Sequence, residues 1–225
     1  EKILDPACGT AGFLISSFKY ILKQNTKKNL GDLLNSSERK TIVKNFSGYD
    51  ISPDMTKMSL VNMYLHKFTN PKIYEYDTLT SEEKWNEYFD TILTNPPFMT
   101  PTGGIIPHKR FGINSTRAEV LFICYVIEHL TPKGKAGIVV PEGILERVGK
   151  QYELLGKKLI ENGLVAIISL PAGVFLPYAE VKTSILIFDK NLAKNKKDLL
   201  FITVNNDGYT LTTSRLETSE NDLPE

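Results

Sequence analysis

Asn95 stands at the end of an apolar run and is followed by two prolines and an aromatic ring, in "TNPPFMTP" (94–101). Proline has no N–H to continue a strand ladder, so the strand must stop here. What remains is an amide, a carbonyl fixed by a rigid neighbour, and Phe98. The Asn95 side-chain oxygen and the Pro96 carbonyl are two acceptors that can converge on one point. Such a pair suits an exocyclic amine, whose two N–H groups each need an acceptor.

An amine on a heteroaromatic base is a poor nucleophile, because its lone pair is delocalised into the ring. Two acceptors on its hydrogens localise that lone pair toward an incoming electrophile, and a rigid carbonyl is preorganised for the task. Phe98 can stack on the base plane. Stacking is worth about 1–3 kcal/mol, comparable to the few kcal/mol spent unstacking a base. The plainer alternative is a loop that only closes a strand.

Three acids fall at successive strand ends upstream. "DPACGTAGF" (5–13) places Asp5 before Gly9 and Gly12. Glycines let a backbone approach a ligand closely, and the helix that follows starts with free N–H groups. The spacing is GxxG; it lacks the GxGxxG of a dinucleotide loop and the GK[ST] of a Walker loop. An acid ahead of the glycines suits a ligand with an ammonium group and no phosphate, such as S-adenosylmethionine. Asp50, in "GYDI", suits ribose hydroxyls. Asp77, in "YDTL", is within reach of an adenine amine. Each motif alone is compatible with an ordinary turn; the three together form a constellation.

The bulk numbers narrow the field. The chain has 225 residues, is 41% hydrophobic and carries a net charge of +1, which fits one large domain with a real core. Near-neutral charge argues against gripping nucleic acid by charge alone. Two cysteines, Cys8 and Cys124, make no disulfide framework and point to a reducing, cytoplasmic setting. Cys8 reads as a packing residue, not a nucleophile, and Cys124 as core. No metal motif and no apolar run of membrane-spanning length is present.

The elements that must carry these residues alternate. Strands are expected at 2–5, 46–51, 72–77, 89–95 and 135–141, and helices at 12–24, 53–68, 117–130 and 149–163. Near the end, 164–171 and 182–190 are strands with no helix between them, an antiparallel excursion, and 199–205 is a candidate edge strand. Such alternation implies a mostly parallel sheet covered on both faces. Residues 25–40 read as a polar surface excursion, and 190–198 as a solvated lysine-rich turn. The basic loop 99–117 is either solvated or a mobile element that touches a nucleic-acid backbone.

"DPACGTAGF" with "TNPPF" in that order resembles the S-adenosylmethionine-dependent N6-adenine DNA methyltransferases of the gamma arrangement. With "RAEVLFICYVIEHLTPKGKAGIVVPEGIL" and "GVFLPYAEVKTSILIFDK", the chain looks most like the modification (M) subunit of type I restriction–modification systems. The resemblance covers most of residues 1–190. It implies a Rossmann-like class I methyltransferase fold, about seven strands, one of them antiparallel near the C-terminus, with helices on both faces. It implies S-adenosylmethionine held by Asp5, Ala7, Gly9, Thr10, Asp50, Asp77 and Asn95. Asn95, Pro96 and Phe98 would hold the target adenine, and Phe175 is a weaker candidate beside it.

The same resemblance implies double-stranded DNA as substrate and specificity (S) and restriction (R) subunits as partners. The catalytic domain is expected at 1–205 and a C-terminal linker at 206–225. A helical region and a cofactor-closing segment are expected upstream of this chain. Similar tetrapeptides occur in enzymes that modify guanine N2 of ribosomal RNA or glutamine N5 of proteins, which keeps those substrates open. A cofactor-binding scaffold of little activity is a third reading. One departure stands out: Ala11 occupies a position the family commonly fills with glycine, and a positive φ there would strain it.

Overall fold

The computed structural model describes residues 1–195 and 198–223. Its centre is a sheet of eight strands in the order β3-β2-β1-β4-β5-β7-β6-β8. These are β1 (Ile3–Asp5), β2 (Phe46–Asp50), β3 (Lys72–Glu75), β4 (Phe89–Thr94), β5 (Leu130–Pro141), β6 (Leu164–Ser169), β7 (Thr183–Asp189) and β8 (Leu200–Thr203). β7 runs antiparallel to both neighbours, and every other pairing is parallel. This is the expected class I methyltransferase architecture, and the candidate edge strand at 199–205 is present as the exposed β8, which makes eight strands against the about seven expected.

Helices α1 (Gly12–Gln24), α2 (Ser36–Lys44), α3 (Pro53–Leu65), α4 (Ala118–His129), α5 (Gly143–Glu146) and α6 (Lys150–Glu161) connect the strands. Ile3 and Leu4 are neighbours in β1 yet fall in different apolar clusters. Successive strand residues point to opposite faces, so the two clusters lie on the two sides of the sheet. One gathers Leu14, Ile15 and Met63 of α1 and α3. The other gathers α4 with Leu155 and Leu159 of α6. α4 is buried nearly all round, as its unbroken apolar sequence requires.

Two local differences from the sequence reading have physical causes. α2 lies inside the polar stretch 25–40 and beyond it; it buries no residue, so no apolar stripe announces it. Its start is fixed by a capping box, in which Asn35 accepts from the Glu38 N–H and Glu38 accepts from the Asn35 N–H. β5 begins at Leu130, directly after α4, earlier than its apolar run at 135–141. Beyond the main sheet, β9 (Asp207–Tyr209) and β10 (Glu217–Asn221) pair antiparallel within the segment 206–225. Lys196 and Lys197 of the lysine-rich turn lie outside the described residues. Among the described residues, no helix is long and apolar enough to cross a membrane.

Candidate active site

Strand order reverses between β1 and β4, and in such sheets ligands sit beyond the strand ends at the reversal. Asp5 ends β1 there and Asn95 follows β4. Two cavities open at this point. The larger, about 810 Å³, is walled by Pro6, Ala7, Asp50, Asp77, Asn95 and residues of the 99–106 loop. The smaller, about 420 Å³, is lined by Asp5, Ala7, Gly9, Thr10, Gly12 and Asn95. Ala7 and Asn95 border both. The predicted cofactor residues therefore converge on two adjoining cavities.

Asp5 is buried, and its Oδ1 accepts the Ala7 N–H at 3.1 Å. Burial raises its pKa to about 7; the buried Thr94 hydroxyl and the Ala7 N–H pull it down, while nearby Asp50 pushes it up. Among the described residues Thr94 Oγ1 makes no hydrogen bond of full geometry, so it offsets little of that burial. A buried carboxyl with no cation beside it prefers its proton.

Asp50 has a different setting. Its Oδ2 accepts the Gly9 N–H at 2.9 Å and its Oδ1 the Ser52 N–H at 2.9 Å. A carboxylate has about four lone-pair sites, so two remain for ligand. Asp77 caps its own turn, with Oδ1 accepting Leu79 N–H at 2.9 Å and Thr80 N–H at 3.1 Å.

Residues that the sequence reading did not single out hold the glycine loop. Ser59 and Asn62 of α3 donate to the Gly9 and Thr10 carbonyls at 2.7 and 2.8 Å. Thr78 donates to the Pro6 carbonyl at 2.7 Å. A serine and an asparagine three apart on one helix face were the only available signal. Ala11 does adopt the left-handed region, φ 65 and ψ 27, just before α1. Gly48 shows how tightly the loop packs: a Cβ there would meet Ile73 at 2.8 Å and the Cys8 sulfur at 3.0 Å. Burial pushes the Cys8 thiol up to about 12, which fits a packing residue and not a nucleophile.

Past β4, Asn95 is exposed and Pro96 buried, and the Pro96 carbonyl takes no backbone hydrogen bond among the described residues. Phe98 lines a third cavity, about 300 Å³, apart from the two that Asn95 borders. Phe175, in the β6–β7 connection, is not among the residues lining these three cavities. The 99–117 loop is partly packed: Phe111 and Ser115 are buried, whereas Met99 and Ile106 are exposed. His108 and Phe111 lie against Trp85, with ring centroids 4.2 and 4.8 Å away.

A family model described as N-6 DNA Methylase matches residues 1–223. The chain is 35% identical over 195 residues to the EcoEI type I restriction enzyme methylase subunit of Escherichia coli, covering 84% of this chain and 38% of that one. It is 32% identical over 201 residues to the EcoKI methylase subunit of Escherichia coli strain K12, covering 87% and 37%. The crystal structure of the EcoKI M protein superposes with a TM-score of 0.74 at 31% identity, over 84% of this chain and 40% of that one. The chain thus spans under two fifths of the length of these curated relatives.

Proposed function

The chain belongs to the N-6 DNA methylase family, and we propose that it is the catalytic part of a modification subunit that methylates adenine N6 in DNA. In this reading residues 1–205 are the methyltransferase domain of a cytoplasmic type I restriction–modification complex. Specificity and restriction subunits are its partners, and residues 206–225 lead out of the domain. The observation that carries the reading is Asn95, which borders both cavities at the strand reversal.

S-adenosylmethionine fits the residues present. The buried Asp5 carboxyl has no cation partner among the described residues, and an α-ammonium would supply one. α1 starts without a side-chain cap and without an acid in its first turn, which suits the methionine carboxylate. Ala7, Gly9 and Thr10 would line the methionine end. Asp50 would receive the ribose hydroxyls on its two spare lone-pair sites, and Asp77 the adenine amine. Bound there, the cofactor supplies an electrophilic methyl group on a sulfonium.

The chain's own contribution is to hold and activate the amine. Asn95 Oδ1 and the Pro96 carbonyl accept the two N6–H bonds, which directs the nitrogen lone pair toward the smaller cavity. The proton lost from nitrogen leaves after transfer, when the product is acidic enough to give it to water. In this reading Phe98 stacks on the base plane, which requires its ring to turn from the third cavity toward Asn95. Met99, Ile105 and Ile106 of the 99–106 loop give the larger cavity an apolar wall.

The test is methyl transfer by the full-length protein, with its partners, to DNA, RNA and protein substrates. The reading expects labelled N6-methyladenine in DNA. Label in guanine or glutamine, with none in adenine, contradicts it.

A further inference from the structure

The third cavity holds a charge cluster that the chemistry above does not use. Glu119, in the first turn of α4, is buried. The Nη1 atoms of Arg117 and Arg147 both approach its Oε1, at 3.6 and 3.7 Å. Thr100, two residues after Phe98, donates to Glu119 Oε2 at 3.4 Å and accepts the Ala118 N–H at 3.1 Å. Arg147 is held further by Tyr152, whose hydroxyl accepts from it at 2.8 Å. The α4 N-terminus favours the carboxylate, and a buried carboxylate needs such partners.

The cluster does not balance. Two guanidinium groups face one carboxylate, which leaves one positive charge in a cavity also lined by Phe98. Glu142, next to the lining residues Pro141 and Gly143, is already spent on Lys182 at 2.7 Å and Ser169 at 2.6 Å. Both arginine side chains keep exposure, 47% and 40%, and each guanidinium has more donors than these contacts use. Held but unsaturated guanidinium forks suit a planar or tetrahedral oxyanion. A neutral base would not cancel the charge, whereas a phosphodiester would.

We infer that Arg117 and Arg147, organised by Glu119, form an anion site for a backbone phosphate beside the nucleotide whose base meets Phe98. The inference rests on the proposed DNA substrate. It makes Glu119 a positioning residue and the arginine pair a substrate-binding element. Their work is to hold the extruded nucleotide's backbone while Phe98 holds its base. It also gives a chain of net charge +1 a local grip on DNA.

The test is DNA binding by the full-length protein in its complex, measured against salt. Replacing both arginines, Arg117→Gln with Arg147→Gln, should flatten the slope of log K against log salt by about one, the loss of one neutralised phosphate. The DNA KM should rise about tenfold or more with cofactor affinity unchanged, while the melting temperature falls because buried Glu119 loses its cationic partners. The paired lysine variant should keep the slope, since it keeps the charge, and lose part of the affinity with the fork geometry. An unchanged slope in the glutamine pair overturns the inference. So does a fall in melting temperature and cofactor affinity with the slope intact, which would make the cluster a loop anchor only. Binding is read without methyl transfer, so the two claims fail separately. A parent complex that binds DNA but methylates no adenine contradicts the proposed chemistry alone.

Discussion

Asp50 accepts the Gly9 N–H at 2.9 Å, so one carboxylate both shapes the glycine loop and faces the larger cavity. Sequence alone suggests an acid for ribose; the structure adds a second duty. Asp50→Ala should lose about 1–3 kcal/mol of cofactor binding. It should also destabilise the fold by about 1 kcal/mol, because the Gly9 and Ser52 N–H groups lose their acceptor. Asp50→Asn keeps one side-chain oxygen and should fall between. Calorimetry and denaturant unfolding check both numbers, and an unchanged dissociation constant places the ribose elsewhere.

Asp5 predicts a pH dependence. Its folded pKa of about 7 lies above the ordinary 3.8 because it is buried. A cofactor ammonium pairs with the charged form, so binding must release the proton where Asp5 still holds one. Affinity should therefore improve as pH rises, by up to about tenfold per unit below pH 7, and level off above it. The stability effect has the opposite sign. A raised carboxyl stabilises the fold at low pH, and that contribution is lost as pH climbs from about 4 through 7. Asp5→Asn should abolish the binding profile, weaken binding, and gain stability relative to the parent at pH 8. A flat affinity from pH 5.5 to 8.5 in the parent removes Asp5 from the ammonium site.

Ala11 sits at φ 65 with its methyl fully buried. The left-handed region costs an L-residue about 1–2 kcal/mol. Glycine would remove that strain but lose about 0.8 kcal/mol of methyl burial and about 0.4–1 kcal/mol through the freer unfolded chain. The terms nearly cancel, so Ala11→Gly should change stability by less than about 1 kcal/mol. Ala11→Val adds β-branching and overpacking and should cost about 2 kcal/mol or more. Denaturant midpoints decide, and a neutral valine variant would mean the backbone relaxes there.

Cys8 is beside the cofactor loop but its thiol is held near 12 by burial. Cys8→Ala should leave methyl transfer close to the parent rate, and native Cys8 should alkylate far more slowly than in the unfolded chain. Rapid alkylation that abolishes activity, matched by an inactive alanine variant, would contradict the packing role.

What was legible in the sequence follows from what periodicity and turn chemistry report. β1, β2 and β4 carry apolar runs, and Asp5, Asp50 and Asn95 punctuate their ends, so strand ends and site residues appear together. α2 hid because none of its residues is buried; only the Asn35–Glu38 box marked it. Ser59, Asn62 and Thr78 hid for another reason. Each is a single polar residue whose role depends on a carbonyl more than 45 positions away in sequence, across 50, 52 and 72 residues. The Arg117–Glu119–Arg147 cluster likewise depends on Arg147, which no local spacing relates to Glu119.

The central claim is that Asn95 activates an amine. Single-turnover methylation of a hemimethylated duplex, by the full-length protein in its complex, tests it against Asn95→Ala. The amide's hydrogen bond matters most as the nitrogen pyramidalises, so its loss should slow transfer by about 10²–10³-fold. Cofactor affinity should change little. Phe98→Ala should mainly weaken capture of the base, and Phe98→Trp should restore it. Methylation by Asn95→Ala at the parent rate would contradict the account, and "TNPPFMTP" would then do no more than close a strand.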